Sequence, residues 1–508
     1  MRRIKRAMAF VLTLIMATGF VVGCSGTGGE SSPSESFEES SFNESVSSSD
    51  EHTHVFSEAW ETSSSYHWRE CACGSKTDIE KHVGEATSCV EKPKCEVCGK
   101  EFGKPADHTY TEVTDIGGGV LGLDCVGCDK TIPLLSEEKD GEFVEGVIDF
   151  VVEVDEGKDP IVLQLSDTQL CDWGSLENDC FRYIRETVEA TDPDLIILTG
   201  DIVYGRFDET GSLLLDFIAF MDSLEIPWAP VFGNHDNECI LGVDWQCQQL
   251  ENAEYCLFEQ RDLTGNGNYS VGIMQGGEIL RVFYMLDSNG CSSPMIDRNE
   301  KSTPNDVGKN VVKTSAGFGS TQEEWYNSSI TILKSILPNV KISFAFHIQI
   351  AAFAESFKQY EEYDGELQYG SSSALKNPVN LNTLETAKEG DFGYIGRVVK
   401  GAWDADNKVF ENLKELGVDS IFVGHEHCNS ASIVYEGIRL QFGQKSSTYD
   451  RYNWVKKDGV TIQGDYADKM PSGAQPLMGG TAIPLSQEDG SIVGAYIYLY
   501  GDPLGLNP

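Results

Sequence analysis

The chemistry in this sequence is concentrated in five short groups, each placed directly after an apolar run of strand length. Ile161-Val162-Leu163-Gln164-Leu165 leads into Ser166-Asp167-Thr168-Gln169, and Leu195-Ile196-Ile197-Leu198 leads to Gly200-Asp201-Ile202-Val203-Tyr204. The run Trp228 to Phe232 precedes Gly233-Asn234-His235-Asp236. Ile342 to Phe346 precedes His347, and Ser420 to Val423 precedes Gly424-His425-Glu426-His427. Carboxylate, amide oxygen and imidazole together suit borderline ions such as Fe, Mn or Zn better than Mg or Ca. Each group alone has a plainer cause: an Asp after a strand is commonly a helix cap, Asn-His-Asp a turn, and a lone His a core residue. Five such groups at five strand ends do not follow from those causes. Loops at the carboxyl ends of strands in an α/β sheet converge on one crevice, so the five are expected to meet.

The elements that must position them begin at about residue 143. From there apolar strand-length runs alternate with amphipathic helical stretches, which predicts an α/β domain over residues 143–508. Phe181, Ile184 and Val188 share one helical face, as do Leu213, Phe217, Phe220 and Leu224. Further helices are expected around Trp325, Leu333 and Ile336, and over Val409, Leu413 and Leu416.

The series D-x, G-D, G-N-H-D, H and G-H-x-H resembles the calcineurin-like metallophosphoesterase superfamily, from Asp167 to His427. The resemblance implies a four-layer α/β/β/α sandwich and a two-metal site. Asp201 would bridge both ions, Asp167 and His427 would join one, and Asn234, His347 and His425 would hold the other. Two cations roughly 3.5–4 Å apart lower the pKa of a shared water and clamp phosphate oxygens for in-line attack. The implied function is a phosphoesterase that hydrolyses phosphate esters by attack of metal-activated hydroxide. His235 would face the leaving group as general acid or stabilise the transition state, with Asp236 orienting it. Monoester and diester substrates both stay open, because choice between them lies in loops such as Asn289 to Phe318 and Glu355 to Gly401.

One position departs from the family. Where most members have a histidine ligand in the first motif, this chain has Gln169, a weak neutral donor. Three residues past Asp201 stands Tyr204, giving the G-D-x-x-Y pattern of purple acid phosphatases, in which tyrosinate binds ferric iron. Gln169 and Tyr204 are thus alternative ligands to the first ion, and the expected pair is Fe with Mn or Zn. Gln169 also supports a reading of another class, a cell-surface binding protein whose phosphoesterase domain has degenerated.

The rest of the chain sets the surroundings. Arg2, Arg3, Lys5 and Arg6 precede the apolar stretch Ala7 to Gly23, which is short for a membrane span and reads as a signal peptide over residues 1–23. Val21-Val22-Gly23-Cys24 resembles a bacterial lipobox, so a lipid anchor at Cys24 on the outer face of the cell membrane is expected. Residues 24–51 are Ser/Glu-rich and read as a disordered tether. The chain has 508 residues, with 38 Lys+Arg against 81 Asp+Glu, and the net charge of −43 opposes binding to nucleic acid.

Residues 52–131 carry seven of the fifteen cysteines: Cys71-Ala-Cys73, Cys89, Cys95-Glu-Val-Cys98 and Cys125-Val-Gly-Cys128, with His67, His82 and His108 interleaved. They look like diverged copies of a Cys/His module, similar to zinc-ribbon-like repeats on Gram-positive surface proteins. Structural zinc and disulfides are both open to an exported segment this small. The seven cysteines beyond, from Cys171 to Cys428, show no ligand spacing, and some are expected in disulfides.

Overall fold

The computed structural model describes residues 3–5, 53–290 and 316–508, apart from 107, 109, 118–119, 140–141, 145, 172–175, 240, 361–367, 370–373, 400–401, 448–451, 456–460, 465–471 and 503–506. The lipobox and the tether lie outside the described residues, as does much of the two loops expected to choose the substrate. The chain divides into two units, one of residues 1–7, 113–123 and 132–508, the other of residues 8–112 and 124–131.

In the larger unit the chain lays down β1 (Phe150–Val154), β2 (Ile161–Leu165), β3 (Leu195–Leu198), β4 (Trp228–Pro230), β5 (Tyr269–Gln275) and β6 (Glu278–Met285). Then come β7 (Lys341–Ala345), β8 (Ser420–Val423), β9 (Ser432–Tyr435), β10 (Ile438–Phe442), β11 (Gly479–Pro484) and β12 (Tyr496–Leu499). A five-stranded sheet has the order β4-β3-β2-β11-β12. The second sheet has eight strands, in the order β1-β5-β6-β7-β8-β10-β9, with Arg3–Lys5 along the outer edge of β1. A chain from which residues 1–23 had been cut would carry β1 itself as that edge.

The two sheets face one another across a common core. Val162, Leu165 and Ile196 from the smaller sheet cluster with Val152, Val271, Phe283 and Phe422 from the larger. Parallel strands covered on both faces read as continuous apolar runs, which is why all four residues of β3 (Leu-Ile-Ile-Leu) are buried. Among the described residues six helices lie on the outer faces: α1 (Leu176–Thr191), α2 (Ser212–Asp222), α3 (Val243–Asn252), α4 (Ser320–Ile336), α5 (Ala351–Phe357) and α6 (Lys408–Glu415). α1 packs on β2, β11 and β12, and α2 sets Phe217 edge-on to Trp228 of β4. Against the larger sheet, Ser329 of α4 hydrogen-bonds the Tyr284 hydroxyl, Phe353 of α5 meets Phe442 edge to face, and Phe410 of α6 lies by Tyr435. The result is the expected four-layer α/β/β/α sandwich. Among the described residues no helix is long and apolar enough to cross a membrane.

Strand register places the chemistry. Leu165 is level with Leu198, and Leu198 with Pro230, so the three strands of the smaller sheet end side by side. In the larger sheet Ala345 is level with Phe422, and the Gly424 amide donates to the His347 carbonyl at 3.1 Å. A buried amide pair joins the sheets beside these ends. Gln164 of β2 donates to the Val423 carbonyl (3.1 Å) and accepts from Gln441 of β10 (2.7 Å).

Candidate metal centre

The five strand ends bring their polar groups into two overlapping clusters. Asp167, Asp201 and His427 form one, and Asp201, His347 and His425 the other, with the donor atoms of each cluster all within 4.8 Å of one another. Asp201 belongs to both. Its Oδ2 lies 3.2 Å from His347 Nε2, which is also 3.2 Å from Asn234 Oδ1 and 3.3 Å from His425 Nδ1. His427 Nε2 is 3.3 Å from Asp167 Oδ1. The second group therefore gathers carboxylate, amide oxygen and two imidazoles, and the first a second carboxylate and a third imidazole. This donor chemistry fits two borderline cations sharing Asp201.

The local backbone explains how so many ligands converge. Asp167, Gln169, Asp201 and His425 all adopt left-handed conformations, with φ of 53°, 45°, 54° and 72°. Such residues in non-glycine form cost of order 1–3 kcal/mol each and persist where the surroundings over-determine them. Glycine supplies the clearance: a Cβ on Gly233 would lie 2.2 Å from Asp201 Oδ1, and one on Gly200 2.7 Å from His347 Nδ1. Orientation comes from hydrogen bonds. The His347 Nδ1 faces the Thr199 carbonyl at 2.8 Å, so Nε2 is left for the cluster. Asp167 accepts the His425 amide at 3.1 Å, and Asp201 Oδ1 accepts the His235 amide at 2.9 Å.

Burial sets strong opposing fields. Loss of solvent pushes the Asp167 carboxyl up, but His427 pulls it further down, to about 2. Burial pulls His347 down and the Asp201 charge outweighs it, raising the imidazole to about 9. His425 is driven to about 3 by burial and by the positive charge of His347. Imidazole ligates in its neutral form, so ion binding at His347 competes with its protonation.

The geometry gives Gln169 and Asp236 partners beyond those their expected roles name. Gln169, expected as a weak neutral ligand, turns its amide nitrogen to Asp201 Oδ2 (3.1 Å) and its carbonyl to Lys445 Nζ (3.4 Å). An ammonium group only donates, so Lys445 fixes which way the amide faces and takes the oxygen that would have ligated. Asp236, expected to orient His235, instead accepts three backbone amides: Ile202 (2.9 Å) and Val203 (3.0 Å) on Oδ1, Gly233 (2.8 Å) on Oδ2. It clamps the Asp201 loop to the Asn234 loop. The group that meets His235 Nδ1 is Glu238, at 3.1 Å, one 3₁₀ turn later. The ring of Tyr204 lies against the His235 ring, with centroids 3.7 Å apart.

Glu238 and Lys445 were missed in the sequence. His235-x-x-Glu238 is a readable i,i+3 pair once a helical turn is assumed there. Lys445 follows β10 and reaches the site through a single parallel bridge between Ser166 and Lys445, which carries no sequence signal.

Residues 161–364 match the family described as Calcineurin-like phosphoesterase. The chain is 25% identical over 302 residues to "Probable inactive purple acid phosphatase 29" of Arabidopsis thaliana, covering 55% of this chain and 67% of that protein. It is 26% identical over 305 residues to "Phosphatase DCR2" of Saccharomyces cerevisiae, covering 54% and 45%. Among solved structures, a dimetal phosphatase from Danio rerio aligns over 68% of this chain and all of its own, with 13% identity and a TM-score of 0.36. The chain thus spans about half to two thirds of the length of these curated relatives. The matched segment holds Asp167, Asp201, Asn234, His235 and His347, and the fold adds His425 and His427 from beyond it. Sequence match and donor geometry together support the calcineurin-like metallophosphoesterase superfamily for this domain.

Proposed function

We propose that this protein is an extracytoplasmic, lipid-anchored phosphoesterase with two metal ions. The observation that carries the reading is the sharing of Asp201 between two buried ligand clusters. Asp201, Asp167 and His427 would hold one ion, and Asp201, Asn234, His347 and His425 the other. Bound there, the ions supply an activated water and charge for the phosphate oxygens. The chain's own residues do the rest. Glu238 holds His235 by Nδ1, leaving Nε2 to give a proton to the leaving oxygen, and the Tyr204 ring fixes the tilt of that imidazole. Negative charge from Asp201 and Glu238 favours the protonated form of His235 needed for that step, against the pull of burial.

The test is turnover of an aryl phosphate monoester and an aryl phosphate diester by metal-loaded protein. Hydrolysis of either, abolished by chelation and restored by metal, supports the reading; full metal occupancy without turnover of either overturns it. A second reading is favoured by one observation, the buried Lys445 ammonium beside the first cluster. Its charge opposes an ion at Asp167 and suits a domain that binds without turnover, which the same assay separates.

Within the enzyme reading, we place the first ion in a purple-acid-like site. Gln169 is engaged by Lys445, and Tyr204 stands at G-D-x-x-Y spacing beside His235, so a tyrosinate is the extra ligand we assign. Iron-loaded protein should then absorb in the visible, and Tyr204→Phe should bleach it; a colourless iron-loaded protein ends that assignment. The anchor rests on the Arg/Lys-led apolar stretch and Cys24. Cys24→Ser should move the protein from the membrane fraction to the medium, and unchanged fractionation would remove the anchor.

A further inference from the structure

Outside the catalytic domain the structure collects thiols and imidazoles into two four-donor groups. His67, His82, Cys95 and Cys98 form one, and Cys89, His108, Cys125 and Cys128 the other, each with its donor atoms within 4.8 Å of one another. The sequence had left disulfides and metal open here, and the interatomic distances separate the two. Cys89 Sγ lies 3.7 Å from Cys125 Sγ, far beyond the bonded separation of about 2.05 Å. Cys95 and Cys98 approach His67 and His82 Nδ1 at 3.7 and 3.4 Å, and His108 Nδ1 lies 3.3 and 3.4 Å from Cys125 and Cys128. A tetrahedral ion with Zn–S of about 2.3 Å and Zn–N of about 2.0 Å has N···S edges of about 3.5 Å and S···S edges of about 3.8 Å. The observed contacts are the edges of such a tetrahedron.

The surroundings of the ligands agree. His82 Nε2 faces the Ser63 carbonyl at 3.1 Å, which commits that nitrogen and leaves Nδ1 for an ion. His67 is fully buried on the strand Tyr66–Glu70, with the Trp60 ring edge-on at 4.6 Å. Cys95-x-x-Cys98 is completed by two histidines and Cys125-x-x-Cys128 by Cys89 and His108, not by a second C-x-x-C pair as two stacked knuckles would require. The ligand order also interleaves: Cys89 of the second group lies in the chain between His82 and Cys95 of the first. A third group, His54, Cys71 and Cys73, offers three donors among the described residues and forms no part of the inference.

We propose that this unit is held by two structural zinc ions, one on His67, His82, Cys95 and Cys98, the other on Cys89, His108, Cys125 and Cys128. Cobalt is the probe, because the strand-end ligands include no sulfur, so thiolate-to-cobalt charge transfer reports cysteine-bound ions, and the Cys98 and Cys128 variants assign it to the two proposed sites rather than to His54, Cys71 and Cys73. The full-length protein, unfolded without reductant in the presence of chelator, should show these five cysteines as alkylatable thiols. Reconstituted with Co(II), it should show near-ultraviolet thiolate absorption that Zn(II) displaces. Cys98→Ser and Cys128→Ser should each remove roughly half of that absorption while phosphoesterase metal content is kept. Blocked thiols with disulfide-linked peptides, or cobalt uptake without thiolate absorption, would overturn the proposal. These two measurements are made on the unsubstituted chain, so they decide the matter even where a serine variant fails to fold.

Discussion

The two metal-competent regions of this chain follow opposite plans. The strand-end centre uses oxygen and nitrogen donors gathered from distant parts of the sequence, and its His425 amide meets the Asp167 carboxylate across 258 positions. The Cys/His unit uses sulfur and nitrogen donors close in sequence, with His67 and Cys95 28 residues apart and His82 and Cys98 only 16. The first is a product of the fold, since strand register brings its ligands together. The second substitutes for a core, because a segment so short buries little apolar surface of its own. A ligand change in the first should therefore remove chemistry and leave the architecture; in the second it should remove architecture and leave chemistry.

The sharpest break is expected at Asp201. Asp201→Asn weakens both ions at once, and turnover should fall to that of metal-free protein while the Cys/His unit keeps its cobalt–thiolate absorption. Loss of that absorption too would show that the regions are not independent. His235→Ala should lower turnover by about 10²-fold, the scale of a lost general acid, with metal content nearly intact. Unchanged turnover would take His235 out of the mechanism. Glu238→Gln should cost about tenfold, as loss of an orienting partner does. Because the Glu238 charge raises His235, its removal lowers that imidazole's pKa, and the alkaline limb of the pH–rate profile should move to lower pH. A profile that stays in place would leave Glu238 a purely structural role. The smallest effect is expected from deleting the Cys/His unit together with residues 113–123 and 132–140 of the larger unit: a chain beginning at Gly141 should fold and turn over as the full chain does, since no strand-end ligand precedes Asp167. A large loss of activity there would join the two regions that the other variants separate.

How much of this could be read beforehand follows the same division. The strand ends were legible because a parallel strand buried on both faces is a continuous apolar run, and the residue after it has a short list of tasks. The hairpin of β5 and β6 turns at Gly276-Gly277, a pair that marks such turns, but carries none of the five strand-end groups. Gln169 was legible as a departure, but not its cause. Lys445 comes from another loop, and only the tertiary fold shows that its ammonium takes the glutamine carbonyl. Asp236 adjoins His235 in sequence, but the 3₁₀ turn points its carboxylate at the Ile202 and Val203 amides, which sequence adjacency does not reveal. In the Cys/His unit the ligand types were plain from composition, but the partition was not, because Cys89 lies inside the span of the other site. The expected disulfides are not formed at Cys239 and Cys247, which stay as buried thiols.

The wide sequence span of the strand-end ligands also fixes when the centre can take up its ions. His427 lies far downstream of Asp167, so no complete ligand set exists until nearly the whole domain has been delivered and packed. For a chain that crosses a membrane before it folds, that moment comes outside. Affinities of such donor sets rank divalent ions in much the same order everywhere, so the occupants are decided by which ions are at hand when the last strand docks. The compartment of folding, more than the ligands, would then choose the metals. Protein refolded in a defined medium and protein recovered from cells should accordingly differ in the metals they carry while sharing one set of side-chain positions.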